Sequence, residues 1–133
     1  MIIRGTTPYH NFILPITAEQ IAGIWVSYCQ NEEIVFTKTE LDASMYIENF
    51  VDLYENASVE QLTEEEQQCS QLTIHLTQEE TLKFHFYPAA KKNIAVIQIR
   101  ILTTDGEAYA SAPVRERIFG VRPDGVIGNN GGR

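Results

Sequence analysis

The residue types that could do chemistry in this chain are three histidines, two cysteines, a triplet of glutamates and a set of aromatics. Metal binding requires imidazole or thiolate groups that converge on one ion. His10, His75 and His85 show no ligand spacing, and His75 and His85 meet only if their strands are neighbours. Ordinary strand histidines are the simpler reading. A cysteine nucleophile needs an adjacent base, whereas Cys29 sits in an apolar strand pattern and reads as a small core residue. Glu64, Glu65 and Glu66 lack the glycine and the ligand spacing of a calcium loop, so they read as a solvated helix face. The glycines cluster toward the C-terminal end with no strand and helix around them, which excludes a phosphate-cradling loop. Tyr9, Trp25, Tyr28, Tyr46, Tyr54, Tyr87 and Tyr109 could form a sugar-binding platform. A β-sandwich needs bulky fillers, however, and Trp25 is expected to anchor the core. The chain is therefore read as a non-enzyme with no metal and no cofactor.

The elements that would carry these residues are mostly strands. Phe12 and Leu14 alternate with Asn11 and Ile13 before Pro15, as in a short strand that the proline ends. Thr17 and Gln20 have the capping-box spacing of a helical turn. Residues 24–30 put Trp25, Ser27 and Cys29 on one face and Ile24, Val26 and Tyr28 on the other. Asn31-Glu32-Glu33 then turns the chain into residues 34–39 as a hairpin. Leu72, Ile74 and Leu76 alternate with Thr73, His75 and Thr77. Thr77-Gln78-Glu79-Glu80 is a second capping box, with Leu82 and Phe84 turned inward. Ala95, Ile97, Ile99 and Ile101 form one apolar face, with Gln98 and Arg100 opposite. Asp105-Gly106 turns the chain into residues 107–114, where Pro113 marks a sheet edge, and residues 117–121 supply a last strand. Short strands with frequent turns predict a mainly β fold, an antiparallel Ig-like β-sandwich. It spans residues 1–127 as a single domain. Residues 122–133 form a glycine-rich end that is mobile unless a neighbour holds it, and 128–133 are a flexible Gly/Asn-rich tail.

The period changes between residues 42 and 69. Met45, Tyr46, Phe50, Val51 and Tyr54 recur at three- and four-residue spacings, which predicts an amphipathic helix of about three turns. Ser58 and Thr63 open further N-cap patterns. The same window holds Asp42, Glu48, Asp52, Glu55, Glu60, Glu64, Glu65 and Glu66 and no Lys or Arg. It carries the whole net charge of −8, because the remaining ten acids balance ten bases. It reads as an acidic helical insertion between strands, and deletion of residues 43–69 is expected to spare the fold. A chain acidic in this way has no electrostatic footprint for direct nucleic-acid binding. No apolar run approaches the roughly 18 residues that cross a bilayer, and the N-terminus has no signal-peptide pattern. Cys29 and Cys69 are expected as reduced thiols of a cytoplasmic product, although the sequence leaves one disulfide open.

Four segments carry a resemblance. They are Ile3-Arg4-Gly5-Thr6-Thr7-Pro8, then Leu76-Thr77-Gln78-Glu79-Glu80-Thr81-Leu82, then Gln98-Ile99-Arg100 with Gly106 and Ala110-Ser111, and finally Asp124-Gly125-Val126-Ile127. In that order they resemble a family of small proteins encoded among the virion structural genes of tailed phages and prophages of gut Gram-positive bacteria. The resemblance covers residues 1–41 and 70–127, and the turn at 77–82 is its most specific piece. It implies a β-sandwich component of the tail, baseplate or neck, made in the host cytoplasm and resident in the virion. The implied partners are other virion proteins and copies of the chain itself; no catalytic residue is carried over. The chain departs from the pattern in the window 42–69 and in residues 128–133. The expected contact residues are therefore the eight acids of that window with Arg122, Asp124, Val126 and Ile127. An alternative reading makes the acidic window a nucleic-acid mimic that inhibits a host defence nuclease.

Overall fold

The alternating apolar residues become the inner faces of two sheets that share one core. The computed structural model describes residues 1–53, 62–90, 92–121 and 125–127. Among the described residues the chain is mainly β. One sheet is built on two long antiparallel strands, β3 (Ile21–Gln30) and β7 (Ile94–Thr103). β4 (Glu33–Lys38) pairs with β3, and β9 (Val114–Phe119) and β8 (Ala108–Ala110) pair with successive halves of β7. β1 (Ile2–Ile3) closes the far edge beside β9. The second sheet is antiparallel, in the order β2 (Tyr9–Leu14), β6 (Ser70–His75), β5 (Met45–Asn49).

Each inner face follows the strand period of two. Ile24, Val26 and Tyr28 of β3 and Ala95, Ile97, Ile99 and Ile101 of β7 are buried against Leu14, Met45, Leu72 and Ile74 of the second sheet. Ile2 and Ile118 complete this cluster at the β1 end. Within the same core, the rings of Tyr28 and Phe36 stack at 4.7 Å, with Phe84 edge-on to both. The β3–β4 turn has Asn31 at φ 53° and Glu32 at φ 66°. Two consecutive left-handed residues are what a tight hairpin of the right twist requires.

Four expectations are corrected. The first sheet is mixed rather than wholly antiparallel, because β1 runs parallel to β9 in order to seat Ile2 in the core. Trp25 is not a core anchor: it is 39% exposed, since the period of two that buries Ile24 and Val26 turns it outward. Its ring lies on the bare backbone of Gly23, where a Cβ would stand 2.9 Å from it. Cys29 shares that outer face and is half-buried, and both cysteines are free thiols. Finally, the helix expected from Met45 is strand β5, followed by the single turn α1 (Phe50–Leu53). Met45 is fully buried and β5 pairs along its length with β6. That part of the acidic window is woven into the body, so deletion of 43–69 would remove a strand.

The capping boxes at Thr17, Thr63 and Thr77 appear as read, whereas Tyr54 and the pattern at Ser58 lie outside the described residues. In α2 (Glu64–Gln67) the Thr63 hydroxyl accepts from Glu66 N–H at 3.1 Å. In α3 (Gln78–Leu82) the Thr77 hydroxyl accepts from Glu80 N–H at 3.1 Å, and the Glu80 carboxylate accepts from Thr77 N–H at 2.8 Å. Glu80 also receives Lys38 Nζ at 3.1 Å, which ties α3 to β4.

Candidate functional site

Of the expected contact residues, Asp42, Glu48, Asp52, Glu64, Glu65, Glu66, Val126 and Ile127 lie among the described residues. Asp42 is exposed but engaged, since its carboxylate accepts from Ser44 N–H and Oγ–H, each at 2.7 Å. These bonds hold its pKa below the ordinary carboxylate value. Glu48 projects outward from β5, Asp52 from α1, and Glu64 and Glu65 from α2. Glu66 closes the α2 cap, its carboxylate accepting from Thr63 N–H at 3.3 Å. Glu55, Glu60, Arg122 and Asp124 lie outside the described residues, as does the tail 128–133.

Val126 and Ile127 are exposed, yet the Ile127 backbone is held. The Gln78 side-chain amide accepts from Ile127 N–H and donates to the Ile127 carbonyl. Residues 125–127 thereby dock where α3 meets the turn after β1. Gly5 sits at φ +81°, and a Cβ there would lie 2.9 Å from the Gly125 carbonyl oxygen. Only glycine allows both the conformation and the approach. Thr81 is fully buried at the same place; its hydroxyl accepts from Gly5 N–H at 3.0 Å and donates to the Thr6 carbonyl at 2.9 Å. Arg4 donates to the Phe84 carbonyl at 2.8 Å and the Leu82 carbonyl at 3.3 Å. Three segments far apart in sequence, around Gly5, Thr81 and Gly125, therefore meet in one cluster.

A concave apolar site lies elsewhere, at the edge of β2 that pairs with no other strand among the described residues. Its volume is about 480 Å³, within the usual range for a binding cavity. Phe12, Leu14 and Ile16 form one wall, Ile99, Ile101 and Val114 the other, and Tyr109 and Ser111 stand at the β8 side. Such a lining suits apolar side chains and offers few groups for acid–base or nucleophilic chemistry. The sequence reading missed this site. Its one signal was charge, because residues 5–18 contain no Asp, Glu, Lys or Arg.

The histidines are dispersed. His75 stacks on Tyr9 with ring centroids 4.0 Å apart, and His85 is exposed beside Tyr87. His10 is buried between the sheets, with Nδ1 2.8 Å from the Tyr28 hydroxyl and Nε2 without a hydrogen-bond partner. Burial lowers its pKa and raises that of Tyr28, so both groups are held neutral. Among the described residues no group of three His, Cys, Asp or Glu converges as metal ligands, and no helix is long and apolar enough to cross a membrane. Compared with models of known protein families, with curated proteins and with solved structures, the chain matches none.

Proposed function

We propose that this chain is a structural or adaptor component of a tailed-phage virion, in the tail, baseplate or neck. It is an Ig-like β-sandwich that acts through assembly contacts with other virion proteins and with copies of itself. The observation that carries this reading is the cluster around Gly5, Thr81 and Gly125. Three of the four segments that resemble phage structural proteins meet there, although 75 or more residues separate Gly5 and Thr6 from Thr81. Short motifs that resemble a family by chance have no reason to be neighbours in space. Here the first two interlock through the buried Thr81 hydroxyl and the third docks beside them through Gln78 at the surface, as parts of one inherited structural unit would.

The lining of the apolar groove supports the same reading, because it suits packing against another surface better than turning over a substrate. The test is a nonsense mutation in the gene within a phage that carries it, grown with and without a complementing copy. The expected result is non-infectious particles that lack a tail, baseplate or neck feature by electron microscopy, restored by complementation. Normal, infectious particles without the protein would overturn the proposal.

A further inference from the structure

We infer that two copies of this chain pair through the free edges of β2, antiparallel about a two-fold axis at Asn11, and close the apolar grooves beside those edges. The inference rests on the assembly reading above and names one of its partners. An open strand edge offers N–H and C=O groups to any second strand, so proteins guard edges with charge or brevity. Among the described residues β4 is guarded by Glu33 and Lys38, and β5 by Glu48. β1 and β8 are only two and three residues long. β2 has six residues and none of these guards. Pro8 and Pro15 flank it without interrupting it, and the charge-free stretch 5–18 contains it whole. For a chain of net charge −8, this is where two copies approach with least local repulsion.

The strand is also complementary to itself. Side chains directly opposite in an antiparallel pair lie on the same face, so outward residues must face outward residues. Tyr9, Asn11 and Ile13 point out from β2, while His10, Phe12 and Leu14 point in. Two registers respect this and centre the overlap equally, about Asn11 or about Phe12, and the one that pairs both exposed apolar residues places Asn11 opposite Asn11 of the second copy. It sets Tyr9 opposite Ile13 twice, an aromatic against a β-branched residue, which is a favourable cross-strand pair. Those side chains are 60% and 69% exposed in the single chain.

The groove favours the same partner. Its lining includes five consecutive residues from Phe12 to Ile16, inward and outward ones alike. It therefore follows the backbone edge of β2 rather than lying beneath one face. In the Asn11 register, Tyr9 and His10 of the second copy run past Ile13 and Phe12, and so across the groove mouth.

Sedimentation equilibrium of the full chain tests this. The expected mass is twice the 15.1 kDa of one chain. Ile13→Lys should weaken the dimer by more than about tenfold, because the change enters the interface twice. At concentrations where both proteins are monomeric its thermal midpoint should match that of the wild type, since Ile13 is solvent-exposed in the single chain. Mixing Tyr9→Cys with Ile13→Cys chains should give a disulfide-linked pair that neither gives alone. A monomeric wild type, or a dimer indifferent to Ile13→Lys, overturns the pairing; a sensitive dimer without the mixed cross-link overturns the register. A monomer found in phage particles overturns only this inference. A dimer absent from particles overturns only the virion role.

Discussion

The Gln30 side-chain amide holds the backbone of His85 at both ends. Its Nε2 donates to the His85 carbonyl at 2.7 Å and its Oε1 accepts from the His85 N–H at 2.8 Å. The same device recurs where Asn93 grips Tyr87, at 2.7 and 2.9 Å. Among the described residues between α3 and β7 the chain forms no ladder, so its N–H and C=O groups take partners from side chains. The position after α3 of Phe84, which fills the aromatic end of the core, depends on these grips.

Gln30→Ala should therefore cost about 1–2 kcal/mol, the loss of two hydrogen bonds at a part-buried site. Urea unfolding measures this, and amide exchange at residues 84–87 should accelerate more than elsewhere. Gln30→Glu should be at least as damaging, because it sets an oxygen against the His85 carbonyl.

The grip of Gln78 on Ile127 is of another kind, since it lies at the surface. Gln78→Ala should lower global stability by less than about 1 kcal/mol. It should nevertheless release residues 125–127, which limited proteolysis and amide exchange at the C-terminal end would register. Unchanged protection there would show that Gln78 does not hold this segment.

Met45 decides whether the start of the acidic window belongs to the body. A fully buried Met on a paired strand should cost about 2–4 kcal/mol on truncation to Ala. An insertion that folds beside the sandwich would lose far less. Denaturant midpoints of Met45→Ala and of the exposed control Glu48→Ala separate the two outcomes.

Stability should depend on pH through His10. In the unfolded chain its imidazole takes a proton near the ordinary value of 6.5; in the folded chain burial lowers that value, partly offset by Glu116. As pH falls from about 6.5 toward the folded value, the unfolded state alone gains the proton, and folding stability declines. Below the folded value the decline stops. His10→Gln should flatten this window while still offering the Tyr28 hydroxyl a partner. Glu19, Asp42 and Asp105, whose pKa values are also lowered, contribute only at more acidic pH, where their stabilisation is lost as they protonate.

Local spacing was legible in the sequence; parity and period were legible where they were long. The inner face of β7 repeats four times, and the boxes at Thr63 and Thr77 need only four residues each. Residues 45–49 were misread because an inward polar residue hides the strand period. Asn49 is buried for its hydrogen bonds, accepting from Ala18 N–H at 2.7 Å and donating to the Glu19 carboxylate at 3.0 Å. Phe50 and Val51 then add a helical spacing, and they do begin the turn α1. For Trp25 the strand alternation already pointed outward, and the weight given to ring size concealed it. The groove at β2 joins residues from four strands, so the sequence showed it only as a gap in charge. The docking of Gly125 on Gly5 left no local trace at all.

Quantitative mass spectrometry of purified phage particles, with this chain measured against the major tail and capsid proteins, tests the virion role most directly. The result expected is a fixed ratio set by the symmetry of a ring or collar, unchanged by further purification. Absence from particles, with abundance in infected cells, would contradict the role and favour the nuclease-inhibitor alternative.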